Sequence, residues 1–151
     1  MSTVPPQFTY ERQVQFSETD MAGIVHFANY YRFMEEAEHA FFRSLGLKIM
    51  DANPDGSFVG WPRVRAACSF EAPAHYGDQL QIDINVQRRG VKSLTLTYRI
   101  RRGDAVLANG EMKTVLCRKV AGQAMQSIEI PESVAAVLVE QPVPRLGTAD
   151  G

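Results

Sequence analysis

Asp20-Met21-Ala22-Gly23-Ile24-Val25-His26-Phe27-Ala28-Asn29-Tyr30-Tyr31 is the stretch on which the reading of this chain turns. An acid sits in a loop of small residues, and a histidine follows six positions later. Beyond it, Tyr30, Met34, Ala37, Phe41 and Leu45 step by four, three, four and four, with Phe33 and Ala40 beside them. That spacing predicts one amphipathic helix over 28–46. Arg32, Glu36, His39 and Arg43 fall on its wet face, with Glu35 on the flank. Asn29 or a neighbour is expected to cap its start, and Gly46 suits the left-handed position after its end.

Upstream, Phe8, Tyr10, Val14 and Phe16 share one parity of a strand over 7–17. Arg12 interrupts that apolar parity, so burial there is expected to be incomplete. Residues 51–61, with Pro54-Asp55-Gly56, read as a loop. Four alternating segments follow, at 63–71, 79–88, 92–101 and 105–119, with turn signals at Tyr76-Gly77-Asp78, Arg89-Gly90 and Gly103-Asp104. They predict an antiparallel meander. Pro131 to Glu140 suits a terminal helix with proline in its first turn. The fold class is α+β, a long central helix wrapped by a curved five-stranded antiparallel sheet. One helix cannot cover both faces of such a sheet, so half the alternating face is expected to stay wet and the chain to self-associate.

The totals bound the function. With 151 residues, 45% of them hydrophobic and 22% charged, the chain fits one domain over 1–140 with a flexible tail at 141–151. A net charge of −1 gives no support for a nucleic-acid partner or an anionic membrane. No apolar run is long enough to insert in a membrane, and Met1-Ser2-Thr3-Val4-Pro5-Pro6 does not read as a signal peptide. A cytoplasmic location is expected. Cys68 and Cys117 read as reduced core thiols, and without clustered histidines they make no metal site.

The run from Phe16 to Tyr30 resembles the signature of hotdog-fold acyl-CoA thioesterases, above all the 4-hydroxybenzoyl-CoA thioesterase and YbgC-like branch. That branch carries Asp-Thr-Asp-x-x-Gly-x-Val before the helix. Here Glu18 replaces the first acid, and Asp20 stands at the second. Phe70-Glu71-Ala72-Pro73-Ala74-His75-Tyr76-Gly77-Asp78-Gln79-Leu80 is similar to the family's later Pro-Ala…Gly-Asp-x-Leu stretch. The resemblance implies a hotdog fold, an acyl-CoA substrate whose coenzyme A is no separate cofactor, and a homodimer that forms the active site, with a dimer of dimers expected.

Thioester hydrolysis needs a nucleophile or base at the carbonyl carbon and donors at the developing oxyanion. Asp20 suits the first task, by direct attack or by activating water. The first turn of a helix has unpaired N–H groups, which suit the second. The resemblance assigns the Phe27 N–H to the carbonyl and implicates a histidine at the position of His26. Gly23, Ile24, Val25, Asn29 and Tyr30 complete the expected oxyanion and substrate contacts. Glu35, on the helix, is the fallback nucleophile. Arg88, Arg89 and Lys92 cluster at one turn and are the candidates for the CoA phosphates. Two other functions fit the same fold. One is a hotdog enoyl-CoA hydratase or dehydratase, whose Asp-x-Asn-Pro-x-His pattern is absent here; the other is a non-catalytic acyl-binding protein.

Overall fold

A computed structural model describes residues 4–144. The helix α1 spans Ala28–Ser44 and buries Tyr30, Phe33, Met34, Ala37, Phe41 and Phe42, as the spacing predicts. Glu38 is buried with them, on the same stripe as Met34 and Phe42. Gly46 ends the helix at φ +73. Asn29 does not cap the start. The first amide of the helix, that of Ala28, donates instead to His26 Nδ1 (3.2 Å), and the Asn29 side chain reaches back to the Glu18 carbonyl (2.8 Å).

Around α1 curves a five-stranded antiparallel sheet: β1 (Phe8–Gln13), β4 (Arg63–Phe70), β5 (Gln79–Arg89), β6 (Ser93–Arg102) and β7 (Ala105–Val115), in the order β1-β5-β6-β7-β4. The expected four-strand meander is therefore corrected to three. β4 pairs with β7 at the far edge, not with β5. The reason lies in residues 71–78, too long for a hairpin turn. They cross beneath the start of α1, where Ala74 is buried and its carbonyl takes the Val25 N–H (2.9 Å). Register breaks between Val86 and Arg88 and between Ile100 and Arg101 bend the sheet around the helix.

The inner face carries the core: Leu80, Ile82, Ile84 and Val86 of β5, Leu94, Leu96, Tyr98 and Ile100 of β6, and Met112 of β7. Gly110 of β7 lets α1 approach, for a Cβ there would overlap Met34 Sδ. A Gly110→Ala variant is therefore expected to lose about 1–3 kcal/mol, read from its urea midpoint. An unchanged midpoint would show that Met34 repacks freely.

The outer face is drier than expected over β5. Asp83 and Asn85 are buried. Burial pushes the Asp83 carboxyl up, but hydrogen bonds from Arg101 and Thr9 outweigh it and hold the group below its ordinary value. Asn85 donates to the carbonyls of Pro5 and Gln141. The loop expected over 51–61 contains two short strands, β2 (Met50–Ala52) and β3 (Phe58–Gly60). They join β8 (Cys117–Lys119) and β9 (Gln126–Ser127) in a second sheet. Such short pairings lie below the period on which sequence patterning relies.

The terminal helix α2 shrinks to Glu132–Ala135, yet Leu138 beyond it is fully buried in the core. Over the described part of the expected tail, Gln141 donates to the Val86 carbonyl and Val143 to Gln87 Oε1; residues 145–151 lie outside the described residues.

Candidate active site

The loop that carries Asp20 is built from its own backbone. A short 3-10 turn at Phe16–Glu18 leads into an antiparallel bridge between Thr19 and Val25. Asp20 N–H donates to the Ile24 carbonyl (2.8 Å) and Gly23 N–H to the Asp20 carbonyl (3.0 Å). Gly23 sits at φ +80 with open space where a side chain would go, so conformation and not room requires glycine. A second bridge, Ile24 to His75, pins the loop to the crossover segment.

Asp20 is exposed. Its Oδ1 accepts the Ala22 N–H (2.8 Å), an Asx turn. Its Oδ2 has no hydrogen-bond partner among the described residues. His26 is exposed and stacks on Phe27 with ring centroids 4.8 Å apart. Because Nδ1 accepts from Ala28 N–H, the neutral ring is assigned its proton on Nε2. That leaves one donor available.

The helix start offers fewer amides than expected. Ala28 N–H goes to His26 Nδ1, Asn29 N–H to the His26 carbonyl (2.9 Å), and Tyr30 N–H to the Phe27 carbonyl (3.2 Å). His26 N–H goes to the Glu18 carbonyl (2.9 Å). Among the described residues the Phe27 N–H has no acceptor. One amide, between the committed histidine and the committed first turn, is thus free to polarise a carbonyl.

Other expected contacts are placed elsewhere. Tyr30 is core, packed edge-on against Phe70 at 5.1 Å, and burial raises its hydroxyl above the ordinary value. Val25 is buried and serves the loop backbone. Asn29 secures Glu18. Ile24 is half-buried in its bridge to His75.

The cation cluster lies at the opposite end of β5, roughly 30 Å along the strand from the end nearest Asp20. Arg89 is not free there. Its backbone N–H donates to Glu140 and its guanidinium to the carbonyls of Ala135 and Leu138, so it clamps the C-terminal segment. Arg88 and Lys92 have no such partner among the described residues.

A groove of about 260 Å³ runs between α1 and the β4–β7 edge of the sheet, lined by Tyr31, Arg32, Glu35, Arg63, Ala66 and Met112. Phe27, Tyr31 and Glu35 are spaced four apart and share one helix face, so this face leads from the free amide into the groove. Arg63 donates to Glu35 (3.2 Å) and to the buried Glu38 (3.0 Å), which also takes the Tyr98 hydroxyl (3.0 Å). Burial and the Glu38 charge push the Tyr98 hydroxyl well above its ordinary value. The paired Glu35 is thereby a poorer nucleophile than the open Asp20. A larger cleft of about 470 Å³, lined by Leu45, Trp61, Leu116 and Val134 among others, lies at the far end of α1. Neither cleft touches Asp20 or His26. Among the described residues no group of three or more His, Cys, Asp or Glu could hold a metal ion, and no helix is long and apolar enough to cross a membrane.

Sequence reasoning noted Arg12 and Glu18 but gave neither a role, and it passed over the Arg63–Glu38 pair. The signals were present: a cation on an apolar strand parity, and an acid in register with Met34 and Phe42.

Residues 14–138 match the model of the thioesterase-like superfamily. A 1,4-dihydroxy-2-naphthoyl-CoA hydrolase of Nostoc punctiforme is 34% identical over 84% of this chain and 83% of its own. Among solved structures, a gentisyl-coenzyme A thioesterase superposes with a TM-score of 0.70 at 29% identity, covering 87% of this chain and 98% of its own. A 1,4-dihydroxy-2-naphthoyl-CoA thioesterase from Synechocystis reaches 0.74 at 26% identity, covering 87% and 94%. With the helix-in-sheet architecture and the acid-bearing loop already in place, these matches show that the chain belongs to the thioesterase-like superfamily and is a hotdog-fold hydrolase of acyl thioesters.

Proposed function

We propose that this enzyme hydrolyses an acyl-CoA with a hydroxylated aromatic acyl group, using Asp20 as nucleophile or general base. The observation that carries the reading is the pairing, on one short loop, of a carboxylate oxygen and an amide that both lack a partner among the described residues. The Phe27 N–H takes the thioester oxygen as charge develops on it. Asp20 then attacks the carbonyl carbon, or deprotonates the water that does, and the CoA thiolate leaves. On the first route water opens the resulting anhydride and returns the carboxylate. The N–H of His26 Nε2 can donate a hydrogen bond to the oxygen or to the departing sulfur.

The acyl group lies along the Phe27, Tyr31, Glu35 face. At its far end Arg63 and Glu35 offer a donor beside an acceptor. A hydroxyl satisfies both at once, whereas a carboxylate meets two like charges in Glu35 and Glu38. The hydroxylated naphthoyl group named for two relatives has that chemistry.

A single chain leaves this site open to solvent, and the exposed β4 edge suggests what closes it. Val64, Phe70, Phe16, Met21, Phe27 and Tyr76 are all exposed apolar side chains on or near that edge and loop. An unpaired edge with apolar neighbours favours pairing with a second copy. We take the working unit to be a homodimer, and a dimer of dimers to bring Arg88 and Lys92 of another copy to the CoA phosphates. With both cysteines free, a reducing compartment suits the chain, and the cytoplasm is the proposed location.

Thiol release from a panel of hydroxybenzoyl, dihydroxynaphthoyl, benzoyl, straight-chain and crotonyl-CoA thioesters tests this reading. Hydroxylated aryl thioesters are expected to turn over fastest, by about 10-fold or more over their unsubstituted counterparts. No thiol from any member, or loss of the crotonyl double bond without thiol, defeats it. A preparation that is fully active as a monomer by light scattering defeats the shared site.

A further inference from the structure

We propose that Arg12 is a positioning residue for the hydrolysis, acting through Glu18 to hold the Asp20 loop against the start of α1; this rests on the assignment of Asp20 above. The Arg12 side chain is only 8% exposed, although it is charged and rises from an otherwise apolar strand parity. Its guanidinium lies over the Phe33 ring, 4.0 Å from the centroid. It donates to the carboxylates of Glu18 and Glu36 and to the Gln13 carbonyl. Its Nε is buried and has no acceptor among the described residues. A buried cation with an unpaired donor is a poor way to gain stability. An apolar residue over Phe33 would serve packing better, so stability alone does not account for this arginine.

What the arginine holds does account for it. The Glu18 carboxylate takes both Arg12 and the Gln15 N–H (2.8 Å). Its backbone carbonyl takes the His26 N–H (2.9 Å) and the Asn29 side-chain amide (2.8 Å). One residue thus ties the strand side of the loop to the histidine and to the first turn of α1. Thr19 and Asp20 follow directly, and the free Phe27 N–H follows His26. The spacing between carboxylate and amide is set across this junction, and Arg12 is the group that anchors it to β1. Glu36, the other carboxylate on Arg12, stands on the outer face of α1 and takes no part in the junction.

Thiol-release kinetics on the full chain, well below the unfolding temperature, separate positioning from support. Arg12→Gln and Glu18→Gln are each expected to lower kcat by about 10²-fold, the scale of a small misplacement of reacting groups. KM should move by less than about twofold, and the double variant should be no slower than the slower single one, because both changes cut one tether. Glu36→Gln should lower the melting temperature and leave kcat at the parental value. If Arg12→Gln and Glu36→Gln are equally destabilised and both keep the parental kcat, Arg12 merely joins β1 to α1 and the proposal is overturned. Losses that multiply in the double variant overturn it too. Should Arg12→Gln not fold, Glu18→Gln set against Glu36→Gln decides the matter alone. Asp20→Asn run beside them keeps the two ideas apart. Full turnover there removes the underlying assignment, whereas a dead Asp20→Asn with an unimpaired Glu18→Gln removes only the tether.

Discussion

Asp20→Asn is expected to fold as the parent does and to lose about 10²–10⁴ in kcat, the usual worth of a positioned acid–base group. The structure says why the fold should survive. Asp20 is exposed, and among the described residues its side chain makes one hydrogen bond, from the Ala22 N–H to Oδ1. An asparagine Oδ1 accepts the same bond and keeps the same turn. Gly23 still supplies the φ of +80 that closes the loop. Only the negative charge and the basicity of Oδ2 are removed, so the stability change should lie within about 0.5 kcal/mol. The check is paired: an unfolding curve and thiol release on one preparation. Equal turnover would move the chemistry to another carboxylate, and Glu35 would be the next to examine.

Phe27→Pro removes the N–H assigned to the oxyanion, together with the exposed ring. Phe27 has φ −53 and ψ −34, a conformation that proline's ring adopts, and proline is well tolerated where a helix begins. Because no group among the described residues accepts this N–H, the fold loses no hydrogen bond with it. The expected result is a drop of about 10²–10³ in kcat, the usual effect of deleting one oxyanion donor. Phe27→Ala is the control, since it keeps the donor and trims only the exposed ring. A Phe27→Pro enzyme as fast as Phe27→Ala would mean that the carbonyl is polarised from elsewhere.

Much of this site could be read before any coordinates. The helix, its buried stripe and its glycine stop follow from a period that Met34, Ala37 and Phe41 state openly. The Asp20 loop carries its own turn chemistry in Ala22 and Gly23. What could not be read were contacts between residues far apart in the chain. Asn29 and Tyr30 stand beside the loop in sequence, but one is drawn back to Glu18 and the other inward to Phe70. Arg89, basic and next to a turn, is claimed by carbonyls almost fifty residues later. The four-strand meander failed for the same reason: alternation sets which side of a strand is apolar, not which strand lies beside it.

The sequence by itself determined the α+β class, the extent of the helix and the acid-bearing loop, because these depend on local dihedral preferences and on periods of a few residues. Tertiary structure decided that β4 closes the far edge, that the Arg12 side chain is buried behind the loop, and that the Phe27 amide at the helix start has no acceptor among the described residues. Those outcomes come from competition among distant donors and acceptors for the same buried partners, and no window of neighbouring residues contains both sides of that competition.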